Sequence, residues 1–132
     1  MDAYLALHRQ VDLCLDTFAY TGGTTTLHAL WMGVPTLTIA GETAPRRQGA
    51  AVLGHAGLEA FIARDEAEFV QKGLHWAGKL RALARLRAGL RKRFAKSAFG
   101  QPELVAAGLE KALRIMWQRW CAGLPTEPFE VR

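Results

Sequence analysis

Two spacings of apolar residues alternate along this chain, and each change of spacing marks an element. Residues 4–10 have helical character and lead into an almost unbroken apolar run at 11–15, read as a buried strand. Asp16 and Thr17 close it at the end where α/β proteins place ligand-facing groups. Residues 24–32 are expected to be helical, with Thr24 as N-cap and Gly33 as the stop. Residues 34–40 are β-branched and nearly continuous in apolar character, which predicts a strand covered on both faces. A loop at 41–45 precedes a helix at 46–55 that ends before Gly57, and 58–63 form a short strand or extended segment. Asp65-Glu66-Ala67-Glu68 is a capping box opening a helix to about residue 77. Leu80, Leu83, Leu86, Leu90 and Phe94 then recur at helical spacing. After a break at 97–101, Pro102 and Gly123 frame a long last helix, and 124–132 are expected to be extended.

Strands alternating with helices predict an α/β fold with a parallel sheet and right-handed crossovers. Two firm strands and one weak one accompany several helices. A complete doubly wound domain has about six strands, so the chain reads as the second half of a Rossmann-like domain, with helix faces left uncovered. Its 132 residues make one domain, or a piece of one, within the usual ~100–150.

Composition narrows the function classes. Half the residues are apolar and 22% are charged, an ordinary globular mixture. No apolar run approaches the ~20 residues of a membrane span, and the start shows neither a basic region nor an apolar core of a signal peptide. Cys14 and Cys121 lack motif spacing, so inert thiols in a reducing cytoplasm are expected. His8, His28, His55 and His75 are scattered, and no metal site is expected. The net charge of +5 is concentrated between Lys79 and Lys96, where eight basic residues stand without an acid. Such a stretch suits nucleic acid or anionic lipid. Without interleaved aromatics, a solvated amphipathic helix face is the better reading, so neither nucleic acid nor membrane is expected as a partner.

The chemistry lies in the turn between the first strand and its helix. Gly22, Gly23, Thr24, Thr25 and Thr26 put two glycines and three hydroxyls at a helix start. Unpaired N–H groups and the positive end of the helix dipole meet there, which is equipment for holding an anion, phosphate above all. Asp16 either caps local N–H groups or faces the pocket. His28 lies on the face of Thr24 by i, i+4 geometry. It contacts a ligand or stays a partly exposed helix residue. Arg47 meets a phosphate or pairs with Glu42. Trp31, Trp76, Trp117 and Trp120 are expected in core or interlobe packing, and the Met116-Trp117 pair against further structure.

The run of residues 11–18, the Gly-Gly-Thr-Thr-Thr turn and Ala29-Leu30-Trp31-Met32-Gly33-Val34-Pro35 together resemble the protein O-linked N-acetylglucosamine transferases and their SPINDLY-type relatives. Gly41-Glu42-Thr43 with Arg47, Gly57-Leu58 before Phe61-Ile62-Ala63, and Leu109-Glu110 before Met116-Trp117 continue the likeness in register over nearly the whole chain. The resemblance implies a GT-B architecture, two Rossmann-like lobes with a sugar nucleotide between them. This chain would be the last part of the C-terminal, donor-binding lobe, residues 1–132 forming one partial lobe. The implied function is transfer of a sugar from a nucleoside diphosphate sugar, UDP-GlcNAc foremost, to serine or threonine of proteins. Fucosyl or glucosyl transfer, epimerase chemistry and a non-catalytic interaction fragment are the alternatives. No catalytic residue, metal or cofactor is implied within the chain, which alone would be inactive. Its partners would be the donor, an acceptor protein, and the remaining catalytic region with its tetratricopeptide repeats.

Residue by residue, the resemblance puts Thr24 and Thr25 on the diphosphate, with Gly23 at a position that is histidine in some members. His28 stands where many have an acid near the ribose, and Arg47 matches a recurrent arginine. Thr21 replaces a frequent asparagine and Ala19 a frequent proline. The base-recognition histidine falls just before Tyr4, and the lysine that stabilises the leaving diphosphate lies upstream.

Overall fold

A computed structural model describes residues 1–17 and 20–131; Phe18 and Ala19, part of the quoted motif, lie outside the described residues. The elements are α1 (Asp2–Leu7), β1 (Cys14–Leu15), α2 (Thr24–Trp31), β2 (Thr36–Ile39), α3 (Ala44–His55), β3 (Ile62–Ala63), α4 (Glu66–Ala77), α5 (Leu80–Ala95) and α6 (Pro102–Cys121). Short 3-10 turns follow α1 at His8–Gln10, precede β3 at Glu59–Phe61 and join α5 to α6 at Ala98–Gly100. The three strands form one parallel sheet in the order β1-β2-β3. Cys14 pairs with Thr36 and Leu15 with Leu37, while Thr38 pairs with Ile62 and Ile39 with Ala63. The alternation of short parallel strands and helices is the α/β class expected from the sequence.

β2 is the central strand, and its period-2 alternation sorts its neighbours. Leu37 is fully buried and joins the main apolar cluster with Leu30, Leu53, Leu83, Leu90, Phe61 and Phe94. These residues come from α2, α3, α5 and the turn before β3. Phe61 stacks on Trp76 with ring centres 4.5 Å apart. Thr36 and Thr38 point to the other face of β2, both buried.

Several expectations are corrected. The first strand covers two residues rather than five, because a 3-10 turn occupies residues 8–10 and β1 is an edge strand. Leu15 is accordingly 61% exposed rather than buried. Helix α3 starts at Ala44, two residues early, with Pro45 in its first turn, where the missing N–H costs no hydrogen bond. The 58–63 segment divides into the 3-10 turn and the two-residue β3. Thr24 is the first helical residue of α2 and Gly23 its N-cap, with no side chain bonded to the cap amides. Gly33 ends this stretch in the left-handed region at φ 78°, as the stop signal requires. Of the tryptophans expected in core or interlobe packing, Trp117 and Trp120 are 65% and 75% exposed, which excludes them from this chain's own core and not from packing against another lobe.

The capping box holds, with a variation. Asp65 Oδ1 accepts the Glu68 N–H at 2.8 Å. The return bond from Glu68 Oε2 goes to the Arg64 N–H, one residue before the cap, and to Arg64 Nε at 2.7 Å. The hydrogen bond from the Arg64 side chain, chiefly, holds the Glu68 carboxyl down to about 2.

The basic helix is used as a structural face. Arg91 lies 4.2 Å over the Trp31 ring, and Arg93 donates to the Gly57 carbonyl. Arg87 donates to the Gly33 and His8 carbonyls and pairs with Asp12, tying α5 to the segment before β1. Among the described residues no helix is long and apolar enough to cross a membrane.

Candidate functional site

The carboxyl ends of β1 and β2 and the N-termini of α2 and α3 converge on one network. Asp16 directly follows β1. Its carboxylate accepts the Gly22 N–H at 2.9 and 3.1 Å and the Thr38 hydroxyl at 2.8 Å. Those bonds fold the turn back under the start of α2; Asp16 thus holds a local N–H group and also lines the depression in front of the turn. The carboxylate sits so close that a methyl on Gly49 would stand 2.7 Å from Asp16 Oδ2 and 2.9 Å from Thr38 Oγ1. Gly49 is therefore a glycine by contact.

Thr26 is buried and donates its hydroxyl to the Gly22 carbonyl at 2.8 Å, a bond that turns this side chain inward. Thr21 Oγ1 donates to the Pro45 carbonyl at 3.0 Å and accepts the Gly49 N–H at 3.2 Å, which links the loop after β1 to the start of α3. The five residues of the turn thus divide. Gly22 and Thr26 are held in internal bonds, whereas Gly23, Thr24 and Thr25 face outward at the N-terminus of α2.

In front of them lies a depression of about 400 Å³, walled among others by Thr17, Tyr20, Gly23, Thr24, Thr25 and Gln48. Thr24 and Thr25 are exposed, and the first-turn amides of α2 lack intrahelical partners by construction. A bowl of that kind binds an anion through N–H groups and hydroxyls, with the helix dipole assisting.

Thr25 also lines a smaller pocket of about 140 Å³ between α1 and α2, together with Tyr4, His8, Cys14 and Thr36. Tyr4 meets the His8 ring edge-on at 5.2 Å and the His28 ring at 5.7 Å. His8 Nδ1, His28 Nδ1 and Thr36 Oγ1 are buried and have no hydrogen-bond partner among the described residues. His28 is thus placed beside Tyr4, one turn along α2 from Thr24. The Cys14 thiol is pushed up by burial, with Arg87 opposing.

Arg47 is exposed on the first turns of α3 and donates to the Gly41 carbonyl at 3.0 Å. No ion pair joins it to Glu42 among the described residues. Nor does any group of three or more His, Cys, Asp and Glu there form a candidate metal site. Sequence reasoning missed Thr38, Gly49 and Gln48, and named Thr21 only as a replacement in the loop, without its bonds to α3. The Thr-Leu-Thr alternation of β2 is a readable signal for Thr38; the rest depends on how α3 packs.

Comparison with known proteins decides the family. The model of glycosyl transferase family 41 matches residues 5–106. The chain belongs to glycosyl transferase family 41. This family 41 chain is 40% identical over 120 residues to the rice protein named probable UDP-N-acetylglucosamine–peptide N-acetylglucosaminyltransferase SPINDLY, and 38% identical to its Arabidopsis thaliana counterpart. Each alignment covers 91% of this chain and 13% of the relative. A Caenorhabditis elegans UDP-N-acetylglucosamine–peptide N-acetylglucosaminyltransferase is 28% identical over 116 residues, covering 88% of this chain and 10% of its own. Among solved structures, a mutant of the Thermobaculum terrenum O-GlcNAc transferase superposes with a TM-score of 0.82 at 37% identity, over 93% of this chain and 24% of that one. The family 41 chain therefore has the fold of part of a GT-B lobe of an O-GlcNAc transferase, and spans about an eighth of the plant relatives' length.

Proposed function

We propose that this chain is the donor-binding portion of a protein O-GlcNAc transferase-like glycosyltransferase, and that the bowl at the start of α2 holds the diphosphate of a nucleoside diphosphate sugar, UDP-GlcNAc foremost. The observation that carries the reading is the outward-facing Gly23-Thr24-Thr25 start of α2, held in place by Asp16 and opening on a depression of ligand size. In the proposed reaction a serine or threonine hydroxyl of an acceptor protein attacks the anomeric carbon with inversion, and the nucleoside diphosphate leaves. Negative charge grows on the phosphates as the glycosidic bond breaks. Fixed N–H and hydroxyl donors there lower the barrier without reorganising during the step. The residues of this chain bind and orient; none of them is assigned proton transfer, a metal or a cofactor. His28 and Arg47 belong to the same reading as neighbours of the ribose and phosphates. Both cysteines are free thiols, which fits a reducing compartment, and a cytoplasmic location is part of the proposal.

The chain spans so little of its relatives that the remaining catalytic region must supply the acceptor groove and the proton acceptor. The exposed apolar side of α6 favours this over self-sufficiency, and it equally favours the second reading, a non-catalytic interaction fragment. Titration of the ¹⁵N-labelled chain with UDP separates the two. Shifts of the Gly23, Thr24 and Thr25 amides, with those of α6 unmoved, are expected; a folded sample with no shift at these amides overturns the donor-binding role. The purified chain is expected to glycosylate no protein, and measurable transfer overturns that expectation.

A further inference from the structure

Gln48 lies on the second turn of α3, exposed, and its carboxamide reaches across to the start of α2. A methyl on Gly23 would stand 2.6 Å from Gln48 Oε1 and 3.6 Å from its Cδ. The carboxamide thus fills the space where a side chain at position 23 would begin. Both residues wall the same depression as Thr24 and Thr25.

Of the polar side chains that line the bowl, Asp16 and Thr21 are committed to the network, while the Thr24 and Thr25 hydroxyls face the depression together with Gln48. Thr26 is bonded within the network too, and the Arg47 guanidinium turns to the Gly41 carbonyl. The Gln48 carboxamide makes no hydrogen bond to the described residues. It carries two N–H donors and one acceptor. The carboxamide oxygen is the atom that meets Gly23; the amino group, the other arm of the same planar amide, offers an anion two donors and adds no charge.

We infer that Gln48 is a recognition residue for the nucleoside diphosphate: its N–H groups bond phosphate oxygens from the α3 side, and glycine at position 23 is what admits the carboxamide. The inference rests on the proposed use of the bowl and adds to it a second wall. The ligand is gripped between two helices rather than set on one. Gly23 then has a purpose beyond its conformation, since a larger residue there meets Gln48 Oε1 and pushes the end of the carboxamide aside.

The test is calorimetric titration of the 132-residue chain with UDP, run beside amide NMR. Gln48→Ala is expected to weaken binding about fivefold, the loss of one neutral hydrogen bond. Gln48→Glu keeps the size but turns a carboxylate toward the phosphates, and is expected to weaken binding about fiftyfold. Gly23→Ala displaces the carboxamide and is expected to match Gln48→Ala. The double variant should be no weaker than either single one, because the two changes remove one contact. Wild-type affinity in both Gln48 variants, with the Thr24 and Thr25 amides still shifting, overturns the role of Gln48 and leaves the bowl standing. Multiplying effects in the double variant overturn the link to Gly23. No UDP response in the wild-type chain removes both the bowl and Gln48. Should Gly23→Ala not fold, the exposed Gln48→Glu variant decides alone.

Discussion

At the ends of β1 and β2 a polar network sits against a buried apolar cluster, with Leu15 of the edge strand exposed; along α6 the apolar side chains stand in solvent. Asp16 alone satisfies the Gly22 amide and the Thr38 hydroxyl, and Leu37, next to Thr38 on the same strand, is fully buried with Leu53 and Leu30. On α6, Leu109, Leu113, Met116, Trp117 and Trp120 are all more than half exposed. Leu113, Met116, Trp117 and Trp120 border an apolar groove of about 490 Å³, roofed by the tail at Leu124 and Phe129. Polar contacts there only pin the tail, through Arg119 to Glu127 at 2.5 Å and to the Pro125 carbonyl at 2.8 Å. The first region is organised by contacts within this chain. The second carries residue types that other proteins bury, without the neighbours to bury them.

That contrast can be broken most directly by removing equal side chains from each region. Leu53→Ala is expected to cost about 2–5 kcal/mol in urea unfolding, because its fully buried methyls leave a cavity. Leu113→Ala, with more than half of its surface exposed, is expected to stay within about 0.5 kcal/mol. Equal losses would mean that α6 is integral to the fold. A smaller effect sharpens the polar side. Asp16→Ala strands the Gly22 N–H and the Thr38 hydroxyl and is expected to cost about 1–3 kcal/mol, together with the UDP response of Thr24 and Thr25. Asp16→Asn keeps an acceptor and should lose less; an alanine variant as stable as wild type would remove the network's structural role. The smallest effect compares the two thiols, one in each region. Burial pushes Cys14 up and keeps it protonated, whereas Cys121 is exposed on α6. Alkylation at pH 8 followed by mass spectrometry should label Cys121 first; Cys14 reacting first contradicts the packing around β1.

Much of the fold was readable because its signals are local. Asp65 with Glu68, Pro102 with Gly123, and the apolar continuity of 34–40 each act within a few residues, and each marks an element where expected. The errors came from what a neighbouring element does. Thr24 has the side chain of an N-cap, yet Gly23 takes that place. The Asp16 carboxylate holds the Gly22 amide, and the helix begins directly after Gly23. The Gly-Gly-Thr-Thr-Thr turn was legible as two glycines and three hydroxyls at a helix start, but its division into internal and outward residues was not, since it depends on Asp16, Thr38 and Gly49 meeting in space. Gln48 carried no signal at all: its relevance arises only when α3 lies beside α2. The tryptophans of α6 read as packing residues by type, and type says nothing of which surface completes them.

Arg87 reaches back 75 positions to Asp12 and 79 to the His8 carbonyl. During synthesis the leading segment therefore emerges from the ribosome long before its clasp does. Until α5 is translated, the segment before β1 lacks that tie, whereas the bonds that shape the bowl all fall within residues 14–49 and need nothing made later.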